Sequence, residues 1–297
     1  SIVFVASRQG LFRSTDAGVS WIKTRGGIAH DLVLHPTSDS VLYAAVQGEG
    51  VVSSIDTGAT WQPLDMGVAP DSIGRCALDL CLTQPEIIYA ILTGSKDPYR
   101  NKTFALMKST DGGDTWFRTL PAVNPQNFFN TYGWYNCEIG VHPTNPDKLL
   151  VGGVGLYMSL NGGESFSPRG GLHVDQHAIE FSPSAPDIAF VGNDGGLYIS
   201  GSGGITFSSL NDDLAITQFY ELGLSLPKPD MVMGGTQDNG SNRRPFGDTE
   251  WYHETGGDGG YCILDYADTL VMYAEYQNGS HLRSTDGGAR WTGINKG

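Results

Sequence analysis

The sequence predicts an all-β protein made of seven successive units of short antiparallel strands. Three observations predict it. Glycine accounts for 41 of 297 residues while charged residues make up only 17%, a balance that suits short strands and tight turns rather than helices. One turn pattern, Ser-x-Asp-x-Gly with an aromatic three residues further on, recurs along the whole chain. Its acidic positions are mostly 40 to 55 residues apart, the spacing of a supersecondary repeat.

The pattern is Ser14-Thr15-Asp16-Ala17-Gly18 leading to Trp21, then Ser54-Ile55-Asp56-Thr57-Gly58 leading to Trp61. Ser109 to Gly113 follows, with Asp111 and Trp116, and then Ser159 to Gly163, with Asn161 and Phe166. Ser200 to Gly204 leads to Phe207, and Ser284 to Gly288, with Asp286, leads to Trp291. The steps are 40, 55, 50, 41 and 84 residues. The last step is two periods, and a degenerate unit around Trp251 fills it. An Asp in such a turn accepts hydrogen bonds from nearby backbone N–H groups, and the Gly two residues on supplies a positive φ. The aromatic starts the return strand and folds into the core. The carboxylates are therefore read as structural, and Asn161 and Ser202 at equivalent places would not hold a cation.

Each full unit also carries a segment before the turn. Examples are Asp31-Leu32-Val33-Leu34-His35-Pro36 with Val41-Leu42-Tyr43-Ala44, and Glu138-Ile139-Gly140-Val141-His142-Pro143 with Leu149-Leu150-Val151-Gly152. The first piece reads as an inner strand ending at a proline turn, the second as a middle strand.

These units resemble the Asp-box repeats of the bacterial neuraminidase type found in sialidases, sortilin-type receptor ectodomains and xyloglucan-hydrolase propellers. The resemblance implies a single seven-bladed β-propeller of four-stranded antiparallel blades. The blades are expected at about 1–24, 28–65, 74–120, 134–170, 174–211, 217–253 and 258–297. The first lacks its inner strand, because Ser1 already opens the middle strand, so the native chain is expected to extend and donate the missing one. Further domains of the same polypeptide fit this expectation.

Composition excludes several classes. No run of eighteen apolar residues provides a membrane helix. A net charge of -14 argues against nucleic acid as a partner. Cys76, Cys81, Cys137 and Cys262 are too scattered for a disulfide framework or a zinc knuckle and are expected as free buried thiols. Sequons stand at Asn101, Asn239 and Asn278.

In a propeller the repeat turns gather on one face and the loops from outer to inner and from second to third strands gather on the other. Function is expected on the second face. Two long loops fall there. One runs from Thr93 to Thr103 and carries Tyr99. The other runs from Pro121 to Gly133, carries Phe128, Phe129 and Tyr132, and leads into Trp134-Tyr135. These aromatics either stack on sugar rings or anchor a peptide, or pack the two loops together. His173, Asp175 and His177 alternate and would share one face of an extended segment, where they could hold a metal or move a proton. No further ligand is evident, so no metal and no cofactor is expected. Three Gly-rich turns carry Asp194, Asp238 and Asp258, flanked by Gln218, Tyr220, Gln237, Asn239, Tyr276 and Gln277. Arg243 and Arg244 could pair with an anionic ligand, although a solvated pair fits as well.

The resemblance to sialidases is limited to the repeats, since their Arg-Ile-Pro motif is absent. Xyloglucan hydrolases pair two propellers across a cleft, each donating an Asp, and one propeller supplies half of that apparatus. The leading reading is a secreted, extracellular or periplasmic, recognition propeller that binds carbohydrate or a protein segment on the loop face. The alternative is a glycoside hydrolase using two of Asp175, Asp194, Asp238 and Asp258, with His177 as a further candidate. A spacer domain of a larger cell-surface protein is a third reading.

Overall fold

The computed structural model describes residues 1–212 and 214–295. The protein is an all-β, seven-bladed β-propeller whose blades are antiparallel sheets with strands in chain order. The chain divides into two compact units, Ser1–Asp212 and Asp213–Gly297. The first unit holds blades 1 to 5, with strands spanning 3–25, 29–63, 73–118, 138–169 and 176–209. The second holds blade 6, spanning 219–255, and blade 7, spanning 259–293. Blade 1 has three strands and every other blade has four. No helix among the described residues is long and apolar enough to cross a membrane.

Alternation explains how neighbouring blades of the first unit pack. In the middle strand Leu42–Val46 of blade 2 all five residues are buried. Leu42, Ala44 and Val46 join Leu11, Val52 and Trp61 in one cluster. Tyr43 and Ala45 face the other way, into a cluster with Leu78, Leu92 and Met107 of blade 3. Blade 3 repeats the arrangement: Ile88 and Ala90 join that cluster, while Tyr89 and Ile91 pack on Val141, Leu149 and Val151 of blade 4. A two-sided apolar strand is what a sheet covered on both faces requires. Each fully buried Leu or Ile contributes about 1.5–3 kcal/mol.

Inner-strand carboxylates tie adjacent blades. Asp31 accepts from the Leu78 backbone N–H at 2.9 Å, and Asp79 accepts from that of Val141 at 2.7 Å. Burial raises both carboxyls, Asp79 to about 7. Burial also raises Glu138, to about 8, against the opposing pull of Arg75, which bonds it at 2.7 Å. The four cysteines are buried and unpaired, as expected.

The repeat turns share one construction. In blade 1, Ser14 Oγ donates to Asp16 Oδ1 at 2.7 Å and accepts from the Gly18 N–H at 2.8 Å. Asp16 then accepts from both the backbone and the hydroxyl of Ser20, at 2.8 and 2.6 Å. The same set recurs around Asp56 with Thr60 and Asp111 with Thr115, while Asn161 accepts from the Ser165 N–H and donates through Nδ2 to the Ser165 hydroxyl. Asp286 keeps the Ser284 bond and accepts the Arg290 N–H. The residue after the acid also has positive φ, including Ala17 at 61° and Thr57 at 58°. Two successive left-handed residues are therefore needed, which is why glycine fills the first place in most repeats. The aromatic is not uniformly core: Trp61 is 6% exposed, whereas Trp21 is 40% exposed.

Candidate functional site

Antiparallel order fixes which loops share an end of a blade. The repeat turns join third to fourth strands, so the turns from second to third strands and the links between blades lie at the opposite end. In the first unit that end brings together residues from the 121–137 link, the 170–176 link and the turn at Asn193–Gly196.

The Gly-rich turn Gly192–Gly196 holds Asp194 between His177 and Tyr135. His177 Nε2 lies 2.8 Å from Asp194 Oδ1, and the Tyr135 hydroxyl donates to both Asp194 oxygens at 3.4 Å. The Tyr135 ring meets the His177 ring edge-on at 4.6 Å, and Trp134 lies 5.5 Å from Tyr135. Asp175 accepts from Asn136 Nδ2 at 2.7 Å. Burial, and after it the charge of Asp194, raises the Asp175 carboxyl, while His177, His173 and the Asn136 bond pull it down. Backbone placement depends on Gly195, where a Cβ would sit 2.4 Å from that of His173.

Several expectations need correction. His173, Asp175 and His177 do not share an extended face. Asp175 has φ 61°, the strand begins only at Gln176, and a bulge interrupts pairing between Gln176 and Ala178. His173 turns back to place Nδ1 3.1 Å from the Val174 carbonyl. No group of three or more His, Cys, Asp or Glu among the described residues is arranged to hold a metal. Phe128 and Phe129 are not loop-surface platforms: they are 1% and 0% exposed. Phe128 packs on Tyr157 and Phe166 at 5.1 and 4.9 Å, because the two long loops close on each other through Gly133 N–H to Asn101 O and Phe128 N–H to Thr103 Oγ1. Tyr99 is half-buried against Phe104 at 6.1 Å. The aromatics that face solvent are Tyr132, Trp134 and Tyr135, at 50%, 61% and 38%.

In the second unit, Asp238 and Asp258 also meet, though through backbone: the Asp238 N–H donates to Asp258 Oδ1 at 2.8 Å. Gln277 reaches Asp258 Oδ2 at 3.4 Å. Gln237 bonds through its N–H to the Gln218 carbonyl, and Asn239 donates back to the Gln237 carbonyl. Tyr220 and Tyr276 are exposed beside Asp258. Arg243 is not available to an anion. It lies within the strand Ser241–Arg244 and bonds Glu254 at 2.6 Å. Arg244 reaches the Asp230 carbonyl.

Sequence reasoning missed Asn136, which bonds Asp175, and Gln176 and Asn193, which bond the neighbouring His173 carbonyl. Gln176 donates to the His173 carbonyl at 2.7 Å, and Asn193 donates to Gln176. Asn193 stood in a turn already marked for its Asp. The other two carry no signal outside the fold.

The chain matches no known protein family, and no curated protein matches it. Among solved structures it is similar to a GH74 enzyme of Niastella koreensis, at 20% identity and a TM-score of 0.51 over 90% of this chain and 45% of that one. An ancestral GH74 enzyme aligns at 16% identity and a TM-score of 0.48, over 90% of this chain and 38% of that one. YCF48 bound to a D1 peptide aligns at 12% and 0.43, over 99% and 85%. This chain thus spans less than half of the two GH74 chains, and the likeness concerns the fold.

Proposed function

We propose that this is a recognition propeller that binds carbohydrate on the end of its blades opposite the repeat turns, without turning it over. One observation carries the reading: Trp134, 61% exposed, stands beside Tyr135, whose hydroxyl and ring meet Asp194 and His177. An indole face covers the C–H face of a pyranose, and a flanking carboxylate and imidazole bond its hydroxyls. An extracellular or periplasmic setting accords with such a ligand and with the resemblance of the repeats to those of secreted propellers. The test is a glycan array followed by titration calorimetry. Trp134→Ala is expected to remove binding while leaving the melting temperature unchanged. Binding by peptides and not by glycans would replace carbohydrate with a protein segment as the ligand.

A second reading has its own support. Burial, and after it the charge of Asp194, raises the Asp175 carboxyl, and a pair of carboxyl groups in unlike environments is what glycoside hydrolysis uses. Turnover of xyloglucan or β-glucan oligosaccharides that disappears in both Asp175→Asn and Asp194→Asn would establish it. Absence of turnover in the unaltered protein excludes it.

A further inference from the structure

A cleft of about 510 Å³ opens at the same end of blades 1 to 4. Its size falls within the roughly 300–1,000 Å³ usual for ligand sites. Arg8, Arg75 and Arg100 line it, together with His30, Gln47 and Trp134, and no Asp or Glu does. That lining inverts the composition of a chain with 18 Lys and Arg against 32 Asp and Glu. The residues arrive from separate elements: Arg8 from the turn between Val3–Ser7 and Gly10–Ser14, His30 and Arg75 from the starts of inner strands, and Arg100 from the long loop of blade 3.

The arginines divide by role. Arg75 is held in place, donating to the Tyr135 carbonyl at 2.6 Å and pairing with Glu138 at 2.7 Å. Arg8 and Arg100 are exposed and take part in none of the ion pairs among the described residues. His30, bonded to Gln47 at 3.2 Å, is lowered first by burial and then by the charges of Arg75 and Arg8. The positive field in the cleft is therefore felt by a neighbouring side chain.

We propose that the glycan recognised here is anionic, and that its carboxylate or sulfate-ester group binds in the cleft lined by Arg8, Arg75 and Arg100 while a ring of the same chain stacks on Trp134. This rests on the carbohydrate reading above and names its ligand class. Guanidinium forks bond such groups with two parallel N–H···O contacts. The acidic remainder of the surface repels the same ligand, so the cleft is where it can settle.

The experiment compares trigalacturonate, a sulfated galactan trisaccharide and neutral galactotriose by calorimetry at low and high salt. An anionic trisaccharide is expected to bind about tenfold or more tightly than the neutral one, with the advantage shrinking at high salt. The tighter of the two anions identifies the group. Arg8→Gln and Arg100→Gln, at exposed positions outside any ion pair, are each expected to weaken the anion about fivefold to tenfold and leave the neutral sugar unchanged. Equal affinity for all three sugars, or full anion affinity in both variants, overturns the proposal. In that case loss of neutral binding in Trp134→Ala still upholds the glycan reading. Failure of every oligosaccharide to bind overturns both.

Discussion

Two kinds of turn in this molecule use the same residues, glycine and aspartate, at opposite ends of the blades. In the repeat turns the acid is spent locally. Asp16 and Asp56 are each held by a serine before them and a hydroxyl residue after them, and those bonds lower their carboxyls to about 2. Around Asp175 and Asp194 the acids instead meet residues distant in the chain, Asn136 for Asp175 and His177 and Tyr135 for Asp194, and burial, then the charge of Asp194, raises Asp175. An acid whose acceptor sites are filled by its own turn closes a hairpin. An acid turned toward other side chains can meet a ligand. The difference lies in the partners that the fold supplies, not in the residue.

Substitutions sharpen that contrast. The largest expected effect is at a repeat turn. Gly113 has φ 98°, and a Cβ there would lie 2.7 Å from Leu64, so Gly113→Val should cost about 3 kcal/mol in a denaturant melt. Ser109→Ala, at a fully buried hydroxyl that accepts from the Gly113 N–H, should cost about 1–3 kcal/mol by the same measurement. Either variant, where folded, should keep its ligand affinity. Equal losses of affinity and stability would erase the contrast between the two ends.

The opposite end should respond the other way. Asp194→Asn removes the charge that helps to raise Asp175, so the Asp175 carboxyl should titrate lower in an NMR pH series, with little change in melting temperature. Global stability should in turn show opposed dependences on pH. The repeat-turn carboxyls add stability that is present above their ordinary range near 3.8 and is lost as pH falls toward about 2. Asp79 and Glu138, raised to about 7 and about 8, add stability that is full below 3.8 and 4.5 and is lost as pH rises through those values. The melting temperature should therefore peak in mild acid, and Asp79→Asn should flatten its decline toward neutral pH. A flat profile across this range would refute both assignments.

The fold was legible because it is periodic. A turn built from local bonds between Ser14, Asp16, Gly18 and Ser20 leaves its whole recipe in seven consecutive residues, and repetition makes the recipe readable. One part was overlooked although it was in plain view: the Ser or Thr four residues after the acid at Ser20, Thr60, Thr115, Ser165 and Thr206. The two-sided burial of strands such as Leu42–Val46 was likewise implied by their unbroken apolar runs.

The site was legible only in part. Asp175, His177, Asp194, Trp134 and Tyr135 were all marked, yet the reason for marking the first two, a shared strand face, was wrong. Whether Phe128 and Phe129 meet a ligand or pack the two loops together stayed open, because the sequence of a loop does not show whether another loop will close over it. By itself the sequence determined seven antiparallel repeats, the conformation of their turns and the structural fate of the repeat acids, because each rests on contacts within a few residues. Tertiary structure decided which aromatics reach solvent, that Asp175 and Asp194 act on each other, and that Arg8, Arg75 and Arg100 line one cleft. Those depend on contacts between residues that separate loops and strands bring together, and their distance along the chain carries no trace of their distance in space.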